Sequence, residues 1–479
     1  MNTRRTSRRA PRLVAMLLAA ALAAGACSSG DDNGQGGNGP SATTGEDPPV
    51  TDVDRLAEAY VTGHPLIVSV RTMQRLGGLI GVNRLFWQTS LTGPGNRIVV
   101  APNRDTLYSI AVLDLRSGPM ALTMPAITDR YFTYQLLDAW TESFAYVGTR
   151  ATEGEAGTWV VTPPGWDGEL PDGAHELASS TPLAFLLGRF LVDDEADVAN
   201  VTALADQVTL QPLSELTGGP APEPTPPLGE APGLAQDLPT DATFFDELGD
   251  ALEVNAPPTP AQEEVFTAVW DLGVGPGLHP AADATAAERT LLDEGAAAGN
   301  ARIDDAVADG IATSNGWNRP GAVGTYGDDT LQRALVARIG WGANIPEEAV
   351  YPVASTDADG DELDGSHAYR ITFPAGELPP VEAFWSLTAY ADDMFLAEHP
   401  SGRYAIGDRT PGLETAEDGS LTLALAHDEA AAAEVVEPGE PVNWLPVPAG
   451  PFVLMLRLYL PEGPALDGSY EYPPIERAS

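Results

Sequence analysis

Three hydrophobic rhythms succeed one another along the chain. Residues 13–24 form a short, unbroken apolar run behind Arg4, Arg5, Arg8, Arg9 and Arg12, and Ala24-Gly25-Ala26 follow it. A run of about twelve residues is too short to span a bilayer. The order basic, apolar, small is that of a secretory signal, assigned to residues 1–26. Residues 27–52 carry almost no apolar side chains and read as a disordered tether, with a reach of roughly 25–30 Å. Between Asp54 and Leu76 the period becomes helical on Leu56, Tyr60 and Ile67, and His64-Pro65 predicts a break between two helices. From Arg97 the pattern changes to short β-rich runs at 98–100, 107–115, 131–137, 144–147 and 159–162, punctuated by Gly, Pro and Asp. The run 107–112 is apolar on both faces, which predicts an interior strand.

Residues 218–240 hold seven prolines and mark a boundary, because proline resists helix interiors and central strands. Helical signals follow. Thr259-Pro260-Ala261-Gln262 and Thr285 to Glu288 are capping boxes. Ile303, Val307 and Ile311 form a stripe, and Leu331, Leu335 and Ile339 form another that ends at Gly340. Beyond Tyr351 the period of two returns, most clearly in the last run. There Phe452, Leu454, Leu456, Leu458 and Leu460 share one face, while Arg457 and Tyr459 share the other. The expected fold is mainly β with a helical insert. It comprises an N-terminal β-sandwich over 53–217, the Pro-rich boundary, a helical region over 241–345 and a C-terminal jelly-roll sandwich over 346–479.

Composition narrows the chemistry. The single cysteine, Cys27, directly follows the small residues of the export signal, an arrangement similar to the lipobox of bacterial lipoproteins. Acylation there predicts an anchor on the outer face of the cell membrane, each buried methylene contributing about 0.8 kcal/mol. Ser7-Arg8-Arg9 has a faint likeness to a twin-arginine signal, from which Ala10-Pro11 departs, so the export route is left open. There is no lysine, which removes P-loop, Schiff-base and Ser-Lys chemistry. With Cys27 lipidated there is neither a thiol nucleophile nor a disulfide. A net charge of −44 opposes nucleic acid and anionic headgroups. It reads either as adaptation to salt or as the mark of an arginine-biased proteome.

Several segments carry a family likeness. Residues 99–108 (VVAPNRDTLY), 129–131, 138–140 and 148–150 resemble the bacterial domain of unknown function 1254. Tyr326-Gly327, residues 379–386 (PPVEAFWS), 403–404, 407–409 and 443–446 resemble its usual partner, domain of unknown function 1214. The resemblance spans roughly residues 54–475. It implies an immunoglobulin-like N-terminal sandwich, a helical insert, a C-terminal jelly roll and an exported protein. It implies no reaction.

Candidate binding residues lie inside these motifs: Arg104, Asp105, Tyr108, Arg130, Tyr131, Asp138, Trp140, Trp385, Arg403, Asp408, Arg409 and Trp444. Arg104 is placed to pair with Asp105 or with a carboxylate on a neighbouring strand, either as a structural pair or as part of a ligand site. Trp140, Trp159, Trp166, Trp385 and Trp444 are core residues or stacking faces for sugar rings. Asp105, Asp138, Glu142, Glu382 and Asp408 supply acids for hydrolysis, although no spacing singles out a pair. Asp357, Asp359 and Asp361 suggest a loose calcium loop, but the EF-hand pattern fails at Glu362 and Ala368. No metal centre or cofactor is otherwise implied. The leading expectation is a lipid-anchored envelope protein that binds or assembles glycan or another envelope component, with no nucleic-acid partner and its oligomeric state open. The alternative is a glycan- or amide-acting hydrolase with its acids between the two β regions.

Overall fold

A computed structural model describes residues 50–97, 101–308, 313–318 and 323–478. The segment read as an export signal, Cys27, nearly all of the segment read as a tether, the run 98–100 and Ile311 lie outside these residues. The architecture is mixed α/β, with four β-sheets and a central helical region.

Helix α1 (Asp52–Ile80) opens on a capping box formed by Thr51 and Asp54. The expected break at His64-Pro65 is absent, and Pro65 lies inside one continuous helix. A mid-helix proline costs about 3 kcal/mol, and burial offsets it here. Every residue from Ala59 to Ser69 is buried, so this stretch faces protein on all sides. That is why it lacks the one-sided stripe of a surface helix. Around it pack α2 (Thr243–Val254), α3 (Pro260–Ala268), α4 (Ala286–Ala308) and α5 (Thr330–Gly340). Contact between α1 and α4 depends on small residues. A Cβ at Gly295 would lie 2.3 Å from Leu56 Cβ, and one at Gly299 would lie 2.5 Å from Tyr60 Cβ. Tyr60 also stacks on Phe244 of α2 at 3.9 Å. The chain is therefore more helical than a mainly β expectation, because α1 joins the helices.

Strands β1 (Phe86–Trp87), β2 (Thr106–Asp114), β3 (Met120–Met124), β4 (Phe132–Asp138), β5 (Ser143–Gly148), β6 (Gly157–Thr162), β7 (Ala174–Ala178), β8 (Leu183–Leu191) and β9 (Thr209–Pro212) form two sheets. Their orders are β1-β2-β8-β4-β5 and β7-β6-β3-β9. One core lies between them, built by Leu107, Ala111 and Leu113 of β2 with Leu122 and Val161 of the second sheet. The run predicted as an interior strand, β2, pairs on both edges. Its other face meets the helices through Val112, with Leu137 and Phe185 beside it.

After the helices come β10 (Thr313–Ser314), β11 (Trp317–Asn318), β12 (Ala349–Val350), β13 (Val353–Ala354), β14 (Tyr369–Phe373), β15 (Val381–Ala391), β16 (Ala405–Gly407), β17 (Leu421–Ala426), β18 (Asn443–Pro446), β19 (Phe452–Pro461) and β20 (Glu476–Arg477). They order as β10-β11-β13-β19-β15-β16, with β12 on β19, and as β18-β17-β14-β20. A second core joins these sheets. It takes Trp385 and Leu387 of β15, Leu454, Leu456 and Leu458 of β19, and Ile371 and Leu423 of the opposite sheet. The alternation read in 452–460 therefore holds through Leu458. Among the described residues no helix is long and apolar enough to cross a membrane.

Candidate functional site

The loop leading into β2 docks on the outer face of β15 and β19. Alternation sends Trp385 and Leu387 into the C-terminal core and turns Phe384, Ser386, Thr388 and Tyr390 the other way. The Asn103 amide donates to Thr106 Oγ1 at 3.0 Å and to the Tyr459 hydroxyl at 2.7 Å, while its Oδ1 accepts the Asp105 N–H at 2.6 Å. The Tyr390 hydroxyl donates to the Pro102 carbonyl at 2.8 Å, and Arg457 Nη2 donates to the Ala101 carbonyl at 3.0 Å.

Asp105 is buried between two donors from the C-terminal region, the Ser386 hydroxyl at 2.6 Å and Arg409 Nη2 at 3.1 Å. Arg409 also donates to the Val192 carbonyl at 3.0 Å and lies over the Phe384 ring at 4.4 Å. The expected pairing of Arg104 with Asp105 is overturned. Arg104 turns away to the Thr92 carbonyl and lies over the Tyr404 ring at 5.0 Å. Asp408 sits beside Arg409 at 3.9 Å with a third of its side chain exposed. Burial raises its carboxyl above the ordinary range, against the pull of Arg409.

Tyr131 extends the junction. Its hydroxyl donates to Glu348 Oε1 at 2.8 Å, and Arg150 Nε reaches Glu348 Oε2 at 2.8 Å. Its ring packs edge-on against Phe384 and Tyr459. Burial first, then the neighbouring Glu348 charge, pushes the Tyr131 phenol well above its ordinary value. Arg130 is tied to Asp197 at 2.7 Å and to the Leu191 carbonyl at 3.1 Å. With Tyr131 and the exposed Glu382 it borders a groove of about 340 Å³.

The remaining candidates lie apart from this cluster. Asp138 is buried and accepts the N–H groups of Trp140 and Glu142 at 2.8 and 2.9 Å and the Ser180 hydroxyl at 2.5 Å. Burial raises its carboxyl, opposed by Ser180, the Glu142 N–H and Arg333. Glu142 pairs with Arg333 at 2.8 Å. Trp140 and Trp385 are fully packed core residues and have no face to offer a sugar, which corrects their reading as stacking platforms. Trp159 is also buried. Trp444 is only partly buried. Arg403 donates to its carbonyl at 2.8 Å, and with Glu429 and Asn443 the two line a surface groove of about 310 Å³. In the loop read as a calcium candidate, Asp357 Oδ1 accepts the N–H groups of Asp359 and Asp361 within a turn. Among the described residues no group of three or more His, Cys, Asp or Glu is placed to hold a metal ion.

Sequence reasoning missed Arg189, Glu348 and Tyr351, and it noted Arg457 only as sharing the second face of its strand with Tyr459. The available signal was a lone arginine inside an apolar strand, as in residues 183–191 (LAFLLGRFL).

Residues 82–212 match the family described as Protein of unknown function (DUF1254), and residues 348–463 match Protein of unknown function (DUF1214). The VPA0106 protein of Vibrio parahaemolyticus has a similar fold, with a TM-score of 0.69 at 24% identity over 90% of this chain and 100% of that one. An uncharacterised Burkholderia cenocepacia protein aligns over 89% of this chain and 94% of its own, at 13% identity and a TM-score of 0.44. No curated protein matches the chain.

Proposed function

We propose that this chain, which carries one DUF1254 and one DUF1214 domain, is a cell-envelope protein anchored through Cys27 that binds glycan or another envelope component without cleaving it. One observation carries the reading. Two of the motif acids that a hydrolase would need are spent on partners. Asp105 is held by Ser386 and Arg409, and Asp138 by Ser180 and two backbone N–H groups. Asp138 belongs to a different cluster from Asp105 and Asp408. The hydrolase reading therefore keeps Asp105 and Asp408, both beside Arg409, and the exposed Glu382 of the neighbouring groove. Both oxygens of Asp105 are engaged, so it is poorly placed to take a proton from water.

The groove beside Trp444 and Arg403 combines a partly exposed indole with charged and amide groups, the elements of sugar recognition. The finer fold reading, an immunoglobulin-like sandwich before the helices and a jelly roll after them, draws support from the single core shared by each pair of sheets. A glycan array probed with the purified protein and its Trp444→Ala variant tests the function. Binding that is lost in the variant supports the reading. Silence across the array, or release of new reducing ends from a bound glycan, overturns it.

A further inference from the structure

Within the junction a buried arginine has no counter-charge among the described residues. Arg189, on β8, is 6% exposed. Its Nη1 donates to Gln135 Oε1 and to Asn344 Oδ1, each at 3.0 Å, and its Nη2 donates to the Gly342 carbonyl at 2.9 Å. All three acceptors are neutral oxygens. Among the described residues no carboxylate lies within ion-pair distance of it. Neutral oxygens solvate a guanidinium without cancelling its charge, and an unpaired buried charge is costly. The second arginine on this face, Arg457, differs, because Asp105 lies close enough to act on it electrostatically.

Phenols surround Arg189. The Tyr108 ring lies beneath it at 5.9 Å, and Tyr351 and Tyr459 are within electrostatic reach. The Tyr351 hydroxyl accepts from Asn344 Nδ2 at 2.8 Å, and the Tyr459 hydroxyl accepts from Asn103 Nδ2 at 2.7 Å. Both oxygens serve as acceptors, and among the described residues neither hydroxyl proton has an acceptor of its own. Tyr108 and Tyr351 keep partial exposure whereas Arg189 and Tyr459 are buried. One uncompensated positive charge beside unspent O–H donors is the complement of a monoanionic oxygen ligand.

We propose that Arg189, with the hydroxyls of Tyr108, Tyr351 and Tyr459, binds a carboxylate, the carboxylate of a uronic acid being the form that suits a glycan-binding protein. This names the ligand class for the binding role above and rests on it. A single charge favours a carboxylate over a phosphate dianion, which would leave the site net negative.

The test is calorimetric titration of the purified full chain with glucuronate, glucose and inorganic phosphate. Saturable glucuronate binding is expected, with glucose inert and phosphate weaker. Tyr351→Phe keeps the ring and removes one donor, and it should weaken glucuronate about tenfold. Arg189→Gln should abolish binding. Absence of glucuronate binding, equal binding of glucose, tighter binding of phosphate or an unaltered Tyr351→Phe affinity would each overturn the site. A positive glycan array with a silent glucuronate titration would remove this site alone and leave the broader binding reading standing.

Discussion

Asp105 and Arg409 lie 304 residues apart in the chain and 3.1 Å apart in space, one supplied by the DUF1254 region and the other by the DUF1214 region. Asp105 is buried and Arg409 mostly so, and removing the guanidinium leaves the carboxylate with the Ser386 hydroxyl as its remaining side-chain donor among the described residues. Truncation of Arg409 to Ala is expected to cost about 2–4 kcal/mol. Arg403→Ala, at an exposed site with one bond to a carbonyl, should cost about 0.5 kcal/mol or less. Chemical denaturation of both variants checks the contrast, and equal effects would contradict the assignment of Arg409 as the junction's clamp.

The raised carboxyl of Asp138 gives stability a definite pH dependence. Burial is its main cause, so the folded state holds a proton that the unfolded state has already released. As pH rises above the ordinary carboxylate range near 4, this group takes stability away until its folded pKa is passed. Asp138→Asn keeps the oxygen that accepts the Trp140 and Glu142 N–H groups and cannot ionise. It should therefore equal or exceed the wild type in Tm at pH 7, and the gap should close toward pH 3. Asp138→Ala should lose about 2–4 kcal/mol at every pH, because two buried N–H groups are left without an acceptor.

Contact between α1 and α4 can be tested at Gly299. A Cβ there meets Tyr60 Cβ at 2.5 Å and the Ala57 carbonyl at 2.8 Å, and neither can swing aside. Although alanine is the better helix former, Gly299→Ala should destabilise by about 1–3 kcal/mol. Gly78→Ala, with nothing within 4 Å of the added carbon, should be neutral or stabilising. Thermal denaturation distinguishes the two.

Anchoring through Cys27 predicts that the native protein partitions with membranes and that its mass includes acyl groups. Cys27→Ser should release it into the soluble exported fraction, since the remaining negative charge offers no attachment to anionic lipid. A bare Cys27 on intact-mass measurement of native protein would remove the anchor.

Strand pattern was the most legible layer of this chain. Period two placed Leu454, Leu456 and Leu458 in the core correctly. The same pattern put Arg457 and Tyr459 on the other face, and both are buried against the N-terminal region. Alternation tells which residues share a face but not what covers that face. Strand β8, which carries Arg189, was missed because its unbroken apolar run lacks alternation. Pro65 misled for a related reason, since local propensity is weighed without the burial that overrides it. The motifs brought Asp105, Tyr131 and Arg409 to one junction. Their pairings depend on contacts hundreds of residues apart, which spacing cannot express.

Because the loop at 101–106 contributes hydrogen bonds to strands near the far end of the chain, the boundary between the two family signatures is not a place where the molecule can be cut. Excising either half would break the bonds of Asn103 and Asp105 across the junction and expose the apolar cluster of Tyr131, Phe384 and Tyr459 to water. The two signatures are best regarded as a single inseparable folding unit.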